Sequence, residues 1–347
     1  MKSRKESNKN IRTIRKERLD RGARARSKDL YVLMSYEDIA YVILPRVLPP
    51  LILLAFPLIV RDTYWHMVFF LAGYYAVASM SWDLLGGFTG LVSFGHSLFI
   101  GFGGYFTAIL NVWYGVPIWL SIPIGTLAGA AMGTLIFAPC LRTKGVYFSL
   151  VSLVAPLVMV GSILAFAEIT GGEEGIYGLE NPLTELQWYY IMAGLVLITF
   201  LILRKVAYSN FGLVLQAIRD NEPSVKVSGI NPVRYKVTAL FISGLFASLV
   251  GSLQAHKLSF VGPSYFYLSI SVGIITMSVL GGVATIIGPA IGAYILTILT
   301  EWLRWLGGLR MLLYGVILLI LLNFKPEGIY RYLERTYQTF ERQVVEE

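Results

Sequence analysis

The sequence predicts an all-α polytopic membrane protein of about eight to ten transmembrane helices, some of them short or interrupted. Three observations predict it. Hydrophobic residues make up 56% of the 347 and charged residues 14%, with mean hydropathy +0.64, far more apolar than a soluble domain of this length. Long apolar runs recur along the chain, and Lys and Arg collect in the segments between alternate runs.

The chain opens on a basic tail. Met1–Asp29 holds 12 Lys and Arg against 4 Asp and Glu and contains no long apolar run. A disordered cytoplasmic extension drawn to anionic membrane lipids fits this better than RNA binding, because no aromatics interleave the charges. No nucleic-acid partner is expected. A cleavable signal peptide is not expected either, since the first apolar stretch begins only near Tyr41.

A membrane helix needs about 20 mostly apolar residues, and ten candidate spans follow, at about 41–60, 64–83, 89–111, 117–139, 146–167, 187–204, 236–256, 265–282, 286–303 and 309–324. If the N-terminus is cytoplasmic, inner segments collect 25 Lys and Arg and outer ones only Arg61, Lys257, Arg304 and Arg310. The positive-inside rule therefore places both termini in the cytoplasm of a multi-pass protein of the cytoplasmic membrane. The domain organisation expected is a basic tail over 1–35, a transmembrane domain over 36–325 and a short cytoplasmic tail over 326–347.

Glycine punctuates several spans. Gly125, Gly129 and Gly133 recur every four residues, a small face that lets helices approach closely. Two places go further. Gly86-Gly87-Phe88-Thr89-Gly90-Leu91-Val92-Ser93-Phe94-Gly95-His96, continuing to Gly104, has too many breakers and polar groups for a lipid-facing helix. Gly281-Gly282 and Gly288-Pro289 repeat this more weakly. Interrupted backbone within a membrane is tolerated where protein buries it or where it lines a cavity, so Thr89, Ser93, Gly95, His96, Gly281, Gly282 and Gly288 are candidates to border a translocation path. Each has a plainer reading. His96 reads first as an imidazole hydrogen-bonded to a neighbouring carbonyl, and Asp83 as an interfacial cap or ion-pair partner. Thr89, Ser93 and Ser97 either face the path or bond back to the preceding turn, and sequence does not choose. Glu301 and Arg304 fit an i,i+3 ion pair.

The acidic loop Glu168–Gln187 carries five glutamates, with Thr170-Gly171-Gly172 and Gly175 implying a repeatedly bent backbone. A solvated surface or a contact with another protein both fit.

The longest polar interval is Tyr208–Lys236. Phe211, Val214, Leu215 and Ile218 fall at i, i+3, i+4 and i+7 and form one apolar stripe. Asn210 fits an N-cap and Pro223 stops the run. A second turn, begun at Asn221 or Glu222, closes at Gly229, and Asn231-Pro232 starts the next membrane helix. From Asn210 to Asn221 the helix is roughly 17 Å long, the size of an element that lies in a partner's groove. A helix resting in the lipid headgroups fits the stripe equally well.

Chemistry has no home here. The lone Cys140 excludes an internal disulfide, and no Cys/His spacing suits a metal. No phosphate-binding loop, zinc-protease motif or nucleophile elbow is present, so no enzyme activity and no cofactor in this chain are expected.

Four ordered blocks resemble the permease subunits of ATP-binding-cassette importers for branched-chain amino acids, of the LivM type. Phe211-Gly212, Leu215, Ala217-Ile218-Arg219-Asp220-Asn221-Glu222, Gly229-Ile230-Asn231 and Arg234-Tyr235-Lys236 match that family's cytoplasmic loop. Gly90 to Tyr105, Gly145-Val146-Tyr147-Phe148 with Thr170-Gly171-Gly172 and Gly175, and Leu280-Gly281-Gly282 with Gly288-Pro289 and Gly292-Ala293 match three further blocks. The likeness covers about residues 64–330. Gly104 stands where alanine is usual, Ala284 where glycine is common, and Pro223-Ser224-Val225-Lys226 replaces a turn richer in alanine and glutamate.

The resemblance implies an importer permease fold and a heteromeric complex. Its partners would be a second permease subunit, two cytoplasmic ATP-binding subunits that hold the ATP, and an extracytoplasmic substrate-binding protein. It also implies that loop 208–236 couples to the ATPases through Phe211, Gly212, Leu215, Ala217, Ile218, Arg219, Asp220, Asn221, Glu222 and Gly229. On that view the apolar stripe enters an ATPase groove, and Asp at Leu215 and Ile218 leaves the permease inserted but uncoupled. Leucine, isoleucine and valine are the implied solutes, with urea or short-chain amides as competitors. A stand-alone secondary carrier is the rival class, disfavoured because no carboxylate lies near mid-membrane apart from boundary residues such as Asp83.

Overall fold

The computed structural model describes residues 51–57, 60, 62–142, 145–307, 309, 315 and 328–332. The chain divides into two units, Met1–Val60 and Arg61–Glu347. In the first, residues 51–57 are helical and the Val60 N–H donates to the Phe56 carbonyl at 2.9 Å. The basic tail over 1–35 lies outside the described residues, as do most of the candidate spans at 41–60 and 309–324 and most of the tail over 326–347.

The second unit is helical. Its helices are α1 (Thr63–Thr89), α2 (His96–Ala108), α3 (Ile118–Phe137), α4 (Gly145–Ala165), α5 (Ala167–Thr170), α6 (Glu185–Ala207), α7 (Asn210–Val227), α8 (Pro232–Leu258), α9 (Leu268–Gly281) and α10 (Ile287–Trp302). Among the described residues five helices, α1, α3, α4, α6 and α8, are long and apolar enough to cross a membrane. The candidate spans at 89–111, 265–282 and 286–303 appear as the shorter α2, α9 and α10. These are the short helices expected beside the two glycine-rich interruptions.

The glycines of α2 and α3 explain how the bundle closes. Cβ atoms on Gly125 and Gly129 would lie 2.7 Å from the backbone N of Thr107 and of Gly103, and one on Gly133 would meet the Phe99 ring at 2.5 Å. From the other side, Cβ atoms on Gly103 and Gly251 would strike the carbonyls of Ser248 and Ile100. α2 is thus threaded between α3 and α8 at backbone distance, where dispersion and short polar contacts replace a hydrophobic driving force. α1 packs on α8 and also contacts α6, α9 and α10.

Two details depart from the sequence reading. Gly86 and Gly87 do not break α1, which runs on to a left-handed Gly90 at φ 74°. They are small because the Trp82 indole crowds Gly86 and the backbone N of Ala284 would sit 2.7 Å from a Gly87 Cβ. The acidic loop is also more ordered than expected. It carries α5 and a strand, β1 (Ile176–Tyr177), which pairs antiparallel with β2 (Phe260–Val261) after α8. The bends at Gly171, Gly172 and Gly175 are there, with φ of 76°, 59° and 77°.

Candidate functional site

Two places matter: the break between α1 and α2 with the loop before α10, and the polar segment that forms α7.

At the break, residues 90–95 are irregular, and although Gly90 and Val92 are exposed, Leu91, Ser93 and Gly95 are buried, so the polar groups turned inward need partners. Serines supply them. Ser152 of α4 accepts from the Phe94 N–H at 3.0 Å, and Ser149 donates to the Val92 carbonyl at 2.7 Å. Ser93 accepts from the Gly95 N–H at 3.2 Å, while its carbonyl receives the Trp82 indole N–H at 2.8 Å. Thr89 bonds back to Leu85 at 2.6 Å, the local option for a helical threonine. Gly95 admits no side chain, since a Cβ would meet the Phe137 ring at 2.5 Å and the Ser152 carbonyl at 2.8 Å.

His96 is buried and its partner is a hydroxyl rather than the expected carbonyl. Nε2 lies 2.9 Å from Ser243 Oγ, and Ser243 donates its one proton to the Ser81 carbonyl at 2.6 Å. Only lone pairs of Ser243 are left for the imidazole, so Nε2 is the donor. Nδ1 is then a buried acceptor with no hydrogen-bond partner among the described residues. One residue on, the Ser97 N–H donates to Ser271 of α9 at 2.9 Å, and Ser271 donates to Ser97 Oγ at 3.0 Å.

The second interruption folds onto the first. Asp83, fully buried one turn before Gly87, accepts from the backbone N–H groups of Ala284 (2.6 Å), Thr285 (3.1 Å) and Ile286 (2.9 Å). Ala284 and Ile286 adopt φ of 62° and 60°, which costs most for the β-branched isoleucine. Asp83 is therefore a cap, as one reading had it, though an interior one. Gly281 and Gly288 bring α9 and α10 into backbone contact, since a Cβ on Gly281 would strike the Gly288 carbonyl. Gly282 turns the chain at φ 122°. The seven candidate path residues thus fall into two packed clusters joined through Asp83 and through Ser97–Ser271.

α7 forms as expected in outline. Its N-cap is Ser209 rather than Asn210, and Asn221 is non-helical (φ −158°), splitting the element in two. Asn221 Oδ1 caps the second segment by accepting from the Ser224 N–H at 3.2 Å. Gly229 ends it at φ 81°, and Asn231 caps α8 through the Val233 N–H at 3.1 Å. Glu222 fastens the second segment, pairing with Lys236 of α8 at 2.7 Å and with Lys226 at 3.0 Å. Burial pushes the Glu222 carboxyl up, but the two lysines outweigh it and hold the group below its ordinary 4.5.

The apolar stripe points inward. Leu215 is 0% exposed and Ile218 3%, Gly212 is buried against the Ala207 carbonyl, and Phe211 stacks on Tyr235 of α8 at 5.5 Å. α7 lies on α1, α6 and α8, so neither an ATPase groove nor lipid headgroups receive Leu215 and Ile218. The face left open carries Leu213, 59% exposed, with Ala217, Asp220 and Ser224, and ends near Val227 at 90%. Arg219 reaches back instead, donating from Nη1 to the Gly87 carbonyl at 2.8 Å.

At the opposite end of α8, Lys257 pairs with Glu185, and His256 Nδ1 donates to the Glu180 carbonyl at 2.8 Å. The Glu301–Arg304 pair forms at 2.8 Å. Ser243, Ser152 and Ser271 were not singled out from sequence, because an interior serine has no periodic signature.

Residues 65–322 match the family described as the permease component of the branched-chain amino acid transport system. The high-affinity branched-chain amino acid permease protein LivM of Escherichia coli is 28% identical over 285 residues, covering 74% of this chain and 67% of that protein. Its Salmonella typhimurium counterpart is 27% identical over the same length. The ribose import permease RbsC of Escherichia coli is 28% identical over 207 residues, covering 55% of this chain and 62% of that protein. No solved structure matches.

Proposed function

This chain belongs to the family of permease components of branched-chain amino acid transport systems, and from that premise we propose that it is the LivM-type subunit of an ATP-driven importer for leucine, isoleucine and valine. The observation that carries the proposal is the family match across residues 65–322, which takes in both glycine-rich interruptions and α7. A second permease subunit, two ATP-binding subunits and an extracytoplasmic binding protein complete the complex. The distribution of Lys and Arg supports a cytoplasmic position for α7, the side on which the ATPases of such an importer would work.

The open face of α7, Leu213, Ala217 and Asp220, docks on an ATPase subunit. Its inner face rests on the membrane helices, so closure of the ATPases pushes a helix that is already part of the bundle. The free energy of ATP then shifts the balance between inward-open and outward-open states. The break at residues 90–95 and the loop at 282–288 border the solute path, and His96 Nδ1, which has no hydrogen-bond partner among the described residues, is an acceptor available there.

The test is reconstitution with the partner subunits, followed by identification of the ligand that copurifies with the binding protein. Leucine, isoleucine or valine is expected, with uptake that stops when the ATPases are omitted. A bound pentose, urea or amide overturns the substrate assignment, and gradient-driven uptake without ATPases overturns the importer class. For the path, cysteines at Thr89, Ser93 and Ser97 in a Cys140→Ala background become accessible to small thiol reagents during turnover; if all three stay protected in every state, the path lies elsewhere.

A further inference from the structure

We infer that Arg219 is the positioning residue that carries movement of α7 into the membrane break, and that Asp83 passes it on to the loop before α10. The inference rests on the reading of α7 as the coupling helix. It starts from a bond that crosses elements. Arg219 Nη1 donates to the Gly87 carbonyl at 2.8 Å, and the stem of the side chain lies over Gly90, where a Cβ would sit 2.8 Å from Arg219 Cγ. Gly87 is in the last turn of α1, where helix carbonyls have no partner within the helix and the backbone dipole is negative. A guanidinium from α7 thus caps the C-terminus of α1 by charge and by hydrogen bond.

The other side of the same turn holds the loop. A Cβ at Gly87 would meet both Asp83 Oδ1 and the backbone N of Ala284, so α1 and residues 283–286 touch with nothing between them. Asp83 takes the three N–H groups of Ala284, Thr285 and Ile286, while Arg331 Nη2 donates to the Val283 carbonyl at 3.0 Å. With positive φ at Ala284 and Ile286, this loop holds its shape because Asp83 grips it. The polar residues form a continuous line: Arg219 on α7, Gly87 and Asp83 on α1, then the strained loop that starts α10. On the other branch, Gly90 leads directly into residues 91–95 and α2.

A shift of α7 along or away from the bundle pulls the α1 terminus with it. The two interruptions share that terminus, so they move together. Packed elements tied in this way pass between discrete arrangements rather than deforming smoothly, which is what alternating access requires. Arg suits the role better than Lys because its planar fork holds a fixed direction toward an acceptor.

The experiment is done on the complete complex in proteoliposomes, reading ATP hydrolysed per solute imported for Arg219→Gln and Arg219→Lys. Docking is read separately by crosslinking an Ala217→Cys variant, in a Cys140→Ala background, to the ATPase subunit. Arg219→Gln is expected to keep the crosslink and raise the ratio about tenfold or more, the cost of one charged hydrogen bond. Arg219→Lys, which keeps the charge at the α1 terminus, is expected to fall between. Asp83→Asn added to Arg219→Gln is expected to worsen the ratio less than the two single effects combined, as members of one line do. A purely structural role would lower hydrolysis and uptake in parallel and leave the ratio at the wild-type value, and that result overturns the inference. If the Ala217→Cys crosslink is absent in an otherwise wild-type complex, the coupling reading itself falls.

Discussion

Asp83 shows how much one buried carboxylate decides here. It is satisfied by three backbone N–H groups, the arrangement that makes an interior charge tolerable. Removing it orphans all three donors, at about 1–3 kcal/mol for each. Asp83→Ala is therefore expected to cost at least about 3 kcal/mol, read as a large drop in the unfolding midpoint of the detergent-solubilised protein. The neighbouring Ala284 predicts the opposite sign. At φ 62° its Cβ is strained, so Ala284→Gly should gain about 1 kcal/mol once glycine's extra chain entropy is subtracted. An unchanged or lower midpoint would show that the loop relaxes around alanine. The glycine common at this position in the family resemblance has a physical reason, which the sequence marked only as a departure.

α7 is the element at which sequence pattern and tertiary structure differ most. Its amphipathic stripe was plain in the sequence, but a stripe says that a face is buried and not what covers it. The covering surface is α1, α6 and α8. Leu215→Asp and Ile218→Asp should then prevent folding, seen as loss of the monodisperse detergent-solubilised protein, instead of giving an inserted but uncoupled permease. Leu213→Asp and Ala217→Asp, on the open face, should leave that protein monodisperse and lower uptake relative to ATP hydrolysis. The second segment of α7 carries its own pH dependence. Because the folded Glu222 carboxyl is held below 4.5, its contribution is complete above that pH and is lost as pH falls through the lowered value. Protection factors of the amides in residues 222–229, taken relative to the intrinsic exchange rate at each pH, should fall on acidification below about 4.5, and Glu222→Gln should flatten that response. The caps at Asn221, Gly229 and Asn231 were legible, since capping depends on residues a few positions apart.

For the whole molecule, the arrangement of charges predicts sidedness. In a Cys140→Ala background in cells, a cysteine at Glu173 or Glu174 should react with a membrane-impermeant reagent from outside, and one at Asp220 or Lys226 only after the membrane is opened. The reverse pattern would invert the assignment and remove α7 from the ATPase side. Among the described residues, five helices long enough to span, with α2, α9 and α10 short, agree with the interrupted bundle the glycine blocks pointed to.

Composition, apolar run length and the order of the motifs determined by themselves that this is a polytopic helical permease. Those signals are local, and lipid imposes them on each segment separately. Only the tertiary structure decided which face of α7 is open, that Arg219 turns back to Gly87, and that Asp83 holds residues 284–286. Each of these joins residues far apart in the chain, and a partner brought near by packing leaves no spacing in sequence from which it could be read.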